Sequence, residues 1–152
     1  MRRLLLLGTL LAATGLAHAA DGKAVYDANC QSCHQADGAG AIGLAPPLAG
    51  TLGGRLASEA GRRYVSGVIL AGLAGKLESK GVVYNGIMPS WQALPDADLA
   101  AVANYVVSTF NAAETPAGHR EFVAEDFAAK RAAKPTAKEL RSLRAESEPA
   151  AK

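Results

Sequence analysis

Two thiols and an imidazole stand within five residues at Cys30-Gln31-Ser32-Cys33-His34. Cysteines at this spacing lie one turn apart, so both sulfurs can add to the two vinyl groups on one edge of a porphyrin. The imidazole that follows directly then falls beneath the ring, where it can bind iron. These are the only cysteines in the chain, which leaves none for a structural disulfide. A thioredoxin-like redox pair needs a βαβ surround, and a zinc site needs a second pair of Cys or His ligands. The sequence offers neither. The motif points to one covalent haem c, held through Cys30 and Cys33, with His34 on the iron.

A haem carrier usually has a ligand on each face of the iron, and the sequence holds two candidates for the second. Met88 lies in Gly86-Ile87-Met88-Pro89-Ser90-Trp91, and Pro89 restricts it to extended backbone, which helps project its side chain. A lone methionine is more often a filler of core gaps. His119 is the competitor, set among Gly118 and Arg120 in a polar context that suits a surface side chain. Arg55 and Trp91 are candidates for contacting the porphyrin carboxylates, and each is equally suited to ordinary packing.

The N-terminus agrees with an exported haem protein. Arg2 and Arg3 precede an apolar run from Leu4 to Leu16, and Ala17-His18-Ala19 offers small residues at the positions a signal peptidase reads. The run is shorter than the about 20 residues that a bilayer span takes. Residues 1–19 are therefore expected to be a cleaved signal peptide and the mature chain periplasmic, with no stable membrane insertion. Cleavage removes His18, Met1 and two arginines, so Met88 becomes the sole methionine and fourteen basic residues face fourteen acidic ones. Residues 20–110 carry six Lys/Arg against seven Asp/Glu. This balance gives no basic patch for nucleic acid and no basic amphipathic helix for a membrane surface.

The elements that must position these groups follow from periodicity and caps. Asp21 to Asn29 is expected to be a short helix capped by Asp21, leading into the haem motif. Gly38 to Gly54 is loop. Ser58 to Ala71 is a helix capped by Ser58, with Tyr64, Val65, Val68 and Ile69 as its apolar stripe. Gly72, Gly75, Gly81 and Gly86 interrupt the stretch that follows. Pro95 to Phe110 is a helix with Asp96 and Asp98 at its positive end, and Leu99, Val102, Val106 and Phe110 recur along one face. Nothing alternates like a strand, so the expected fold is all-α: three main helices with long loops wrapped round one haem. A domain this small can use the cofactor as the centre of its core.

Composition changes near residue 111. The expected division is a haem-binding domain over 20–111 and an Ala/Lys/Glu/Pro-rich extension over 112–152, partly helical or disordered. Its helical candidates are Glu121 to Lys134 and Thr136 to Ala145, the second with Thr136 as N-cap, Glu139 in a capping box, and Leu140 and Leu143 on one face.

The sequence over 21–110 resembles the class I c-type cytochromes. The resemblance rests on Gly22-Lys23-Ala24-Val25-Tyr26, on Cys30-Gln31-Ser32-Cys33-His34, and on Ala45-Pro46-Pro47-Leu48-Ala49-Gly50. It continues in Met88-Pro89-Ser90-Trp91 and in Leu94-Pro95-Asp96-Ala97-Asp98-Leu99 through Tyr105. It implies covalent haem at Cys30 and Cys33, axial ligation by His34 and Met88, and a backbone carbonyl of Pro46, or of Pro47, accepting the imidazole proton. Leu48 would pack on the porphyrin, and Gly22 and Tyr26 would meet Tyr105 where the end helices cross. Pro95 departs from the usual serine or threonine cap, and the extension lies outside the resemblance.

The function so implied is single-electron transfer between periplasmic or membrane-bound redox proteins met transiently, not catalysis. Two alternatives stay open. Displacement of Met88 from a mobile Gly72–Gly86 loop would make a binder of small ligands, and docking through the extension would make a fixed subunit of a dehydrogenase or reductase complex.

Overall fold

A computed structural model describes residues 20–149, so the expected signal peptide lies outside the described residues. Helix α1 (Gly22–Asn29) begins where the Asp21 carboxylate accepts from the N–H groups of Lys23 and Ala24. A single turn, α2 (Gln31–His34), follows directly, and a short 3-10 turn covers Gly53–Ala57. Helix α3 (Glu59–Ala71) starts at Ser58, whose hydroxyl accepts from the Gly61 N–H. Helix α4 (Asp96–Phe110) starts after Pro95, with Asp96 and Asp98 in its first turn. Carboxylates there complement the positive end of the helix.

Between α3 and α4 the expectation of a strand-free loop is corrected. The segment forms a hairpin of β1 (Leu73–Ser79) and β2 (Val82–Met88), antiparallel, with Leu73 opposite Met88 and Ser79 opposite Val82. Lys80 and Gly81 both take positive φ, 50° and 74°, as a tight two-residue turn requires. Among the described residues the fold is mostly helical with this one small sheet.

Helix α4 lies at the centre. One side meets α1 through Tyr26, Val102 and Val106; the other joins Leu99, Ala103 and Val107 to Tyr64, Val65 and Leu70 of α3. Burying each of the valine and leucine side chains contributes about 1.5–3 kcal/mol. The second side is completed by the extension. Helices α5 (Ala124–Ala133) and α6 (Ala137–Glu146) seat Phe127, Leu140 and Leu143 in the same core, each no more than 4% exposed. The residues after 111 are thus docked through their apolar faces against their own chain. Among the described residues no helix is long and apolar enough to cross a membrane.

Candidate functional site

The haem motif is built by an abrupt change of direction. The Cys30 N–H still bonds to Tyr26 O at 2.8 Å, closing α1, and Cys30 O then accepts from the N–H groups of Cys33 and His34, opening α2. Both cysteines and the histidine therefore ride on one turn. Gln35 ends that turn with φ of 65°, a left-handed conformation that costs a side-chain-bearing residue energy. The Tyr26 hydroxyl holds it there by donating to Gln35 O at 2.6 Å. Burial pushes the Tyr26 phenol up to about 12, so it remains a donor at all ordinary pH. Burial, then the neighbouring Cys33, pushes the Cys30 thiol up to about 11.

His34 is 8% exposed, and its Nδ1 lies 3.0 Å from Pro46 O. Pro47 O is engaged elsewhere, accepting from the Thr51 hydroxyl at 2.8 Å. Nδ1 donates to Pro46, which leaves Nε2 as the lone-pair nitrogen for a metal. Burial lowers the His34 pKa against the opposing pull of Pro46, the direction that favours the neutral ring that ligation requires. Gly40 lets the Pro46 strand come so close: with φ of 70°, its Cβ would fall 2.5 Å from Ala45 O.

Asn111, which the sequence reading used only as a boundary, ties this loop down. It is fully buried, and its Oδ1 accepts from the N–H groups of Thr51, Leu52 and Gly53 at 3.1, 2.9 and 3.1 Å. Its Nδ2 donates to Val106 O. The end of α4 thereby fixes the segment that follows Pro46. Nothing in the residue type signals this; a polar residue directly after a long apolar helix is the one visible hint.

Across the cleft, Met88 ends β2 instead of lying in a loop. The Ser90 hydroxyl donates to Leu70 O at 2.8 Å, and the Trp91 N–H to Ile69 O, so the chain after Met88 is fastened to the end of α3. Along the hairpin Leu73, Gly75 and Leu77 of β1, with Tyr84, Gly86 and Met88 of β2, face the cleft. That cleft has a volume of about 270 Å³ and is lined by Cys30, Cys33, His34 and Met88. A second chamber of about 100 Å³ continues from it past Leu48, Val102 and Val106, and shares His34, Pro46, Met88 and Trp91 with the first.

Of the remaining candidates, Trp91 lines both chambers and Arg55 lines neither. The Arg55 guanidinium is 3% exposed and committed to the extension, donating to Arg144 O, to the Ser147 hydroxyl and to Glu148. The cation that does line the inner chamber is Arg144. His119 lies outside both chambers, against Phe122 and the cations Arg62 and Arg120; burial, then those charges, lowers its pKa. The donor set fits a haem: two thiols one turn apart on one rim, a neutral imidazole with its orientation fixed, a thioether opposite, and apolar walls. Among the described residues no cluster of three His, Cys, Asp or Glu forms a rival metal site.

The cytochrome c family model matches residues 19–110. The chain belongs to the cytochrome c family. Its cofactor is accordingly haem c, carried by the Cys30/Cys33 spacing, and electron carriers of this kind act through redox partners. The chain is 41% identical over 140 residues to a cytochrome c-552 of Thermus thermophilus, covering 92% of this chain and 93% of that protein. It is 42% identical over 121 residues to another cytochrome c-552 of Thermus thermophilus, covering 80% of this chain and 92% of the relative. A match of 140 residues in a chain of 152 cannot stop at residue 110, so the similarity runs into the extension of the cytochrome.

Proposed function

We propose that this cytochrome carries single electrons between transiently bound redox proteins outside the cytoplasmic membrane, with Cys30 and Cys33 bonded to haem c and His34 and Met88 as the iron's protein ligands. Haem c supplies the one-electron couple when bound. One observation carries the reading: His34, its Nδ1 fixed by Pro46 O at 3.0 Å, lines the same cleft as Met88 and both cysteines. Pro46 would hold the imidazole in its tautomer and orientation. The Met88 thioether favours the lower oxidation state more than a second imidazole would. Leu48, Val102 and Val106 would keep water from the inner chamber.

The hairpin supports a carrier over a ligand binder, because Met88 sits in a paired strand fastened at its base to α3. The docked extension speaks against a subunit role through its apolar faces, which its own core occupies. At the rim, Leu44 and Ile87 are 54% and 81% exposed and line the cleft beside the cysteines. They suit a small apolar contact below about 1,200 Å², formed with weak dependence on salt. Export rests on Arg2-Arg3, the Leu4–Leu16 run and Ala17-His18-Ala19.

The test is an optical redox titration of the purified holoprotein, repeated under carbon monoxide. A single low-spin haem of positive potential that ignores carbon monoxide is expected. A low potential, or ready binding of the gas by the reduced protein, would replace the carrier with a ligand binder.

A further inference from the structure

The hairpin that carries Met88 has only two strands, and such a ribbon is marginal in water without a third partner. Its β1 strand has a free edge with unpaired carbonyls. Two of them, four residues apart, are taken by one helix. Arg141 of α6 donates to Ala74 O, and Arg144 donates to Glu78 O at 2.5 Å. The register makes this placement meaningful: Ser79 pairs with Val82 across a two-residue turn, so Leu73, Gly75, Leu77 and Ser79 turn their backbone groups to β2, leaving the Ala74 and Glu78 carbonyls for the edge.

Helix α6 is itself a fixed point. Leu140 is fully buried against α3, where Gly67 leaves so little room that a Cβ would lie 2.7 Å from the Leu140 methyl. Glu139 pairs with Arg63 of α3 at 3.1 Å, and Arg55 holds the Arg144 carbonyl. The Arg144 guanidinium lies 5.9 Å from the Tyr64 ring of α3, so its own position is also set. Among the described residues the hairpin's other hydrogen bonds to the body of the chain lie at its base, through Ser90 and the Trp91 N–H, and at its tip, where Lys80 donates to Ala49 O at 3.0 Å.

We infer that α6 sets how firmly Met88 is held, with Arg141 and Arg144 as positioning residues that pin the free edge of the Met88 hairpin. The inference rests on the reading of Met88 as an iron ligand. The extension is then part of the redox site's control of ligand lability.

The experiment uses the full holoprotein. The sulfur-to-iron charge-transfer band of the oxidised wild type is read first; if it is absent, the Met88 reading fails and this inference falls with it. With the band present, Arg141→Ala and the Arg141→Ala/Arg144→Ala pair are compared with wild type for imidazole binding to the oxidised iron and for hydrogen exchange of hairpin amides. The pair is expected to bind imidazole at least about tenfold more tightly, tenfold being roughly the worth of one charged hydrogen bond. Hairpin exchange should rise while α1 and α4 keep their protection. Arg141→Lys, which retains a donor for Ala74 O, should recover most of the single-variant effect. Arg141→Ala leaves the core of α6 in place and answers alone if the pair does not fold. Unchanged imidazole affinity, or exchange that rises equally in the hairpin and in α1 and α4, would overturn the inference.

Discussion

A Cβ built on Gly22 would lie 2.2 Å from the carbonyl oxygen of Ala101. Helices α1 and α4 therefore cross backbone to backbone, and the Tyr26, Tyr105 and Phe110 rings close round the crossing at 5.3 to 5.6 Å. Gly22→Ala forces the helices apart. It should cost about 1–3 kcal/mol, as overpacking does, seen as a lower denaturant midpoint with an unchanged haem spectrum. A variant as stable as wild type would show that the crossing can shift freely.

Asn111→Ala strips the acceptor from three backbone N–H groups and the donor from Val106 O. Unsatisfied buried donors are expensive, and a loss of about 3–5 kcal/mol is expected. Asn111→Asp keeps the acceptor but buries a charge, so it should recover only part. Hydrogen exchange over residues 48–53 reads the effect directly, and protection there equal to wild type would refute it.

Met88→Ala should leave the haem attached while lowering the potential and opening the iron to carbon monoxide. Cys33→Ala should impair attachment itself. An unchanged spectrum and potential in the methionine variant would remove Met88 from the iron.

What the sequence shows most clearly is chemistry that is local. Asp21, Ser58 and Thr136 each accept from an N–H two or three residues on, so each cap is visible without knowing the fold. The cysteine motif is local in the same sense. The hairpin is hidden because its inward positions include Gly75, Ser79 and Gly86, while Val83 points outward, 59% exposed. That inverts the contrast on which alternation depends. Its turn, Lys80-Gly81, also lacks the asparagine or aspartate that usually marks such turns. Arg55 invites a role at the cofactor because its actual partners, Arg144, Ser147 and Glu148, lie about ninety residues on. Asn111 is hidden for the same reason, since its partners lie 58 to 60 residues back.

The extension is as much core as cover. Phe127 is fully buried beside Phe122, at a ring separation of 6.2 Å. Phe127→Ala should cost about 3–5 kcal/mol, the range for a deleted core aromatic. The thermal midpoint of the holoprotein measures it. A loss below about 1 kcal/mol would mean that α5 packs too loosely to matter.

Docking of α5 should also depend on acid. Burial by itself would raise the Asp126 carboxyl, but the Arg120 hydrogen bond, the Val123 N–H and the charges of Arg120 and Arg62 more than offset it and hold the group below its ordinary 3.8. Arg62 is fixed in turn by lying 4.3 Å from the centre of the Phe122 ring. Because the folded value lies below the unfolded one, the native state binds fewer protons between the two. The charge's contribution is fully present above the unfolded value and is lost as pH falls through the folded one. Asp126→Asn removes the charge but keeps an acceptor for the Val123 N–H. The gap in denaturant midpoint between the two proteins should therefore stay constant from about pH 7 to 5 and shrink below about pH 4. A gap that persists unchanged at about pH 2 would show that the carboxylate acts through shape and not through charge.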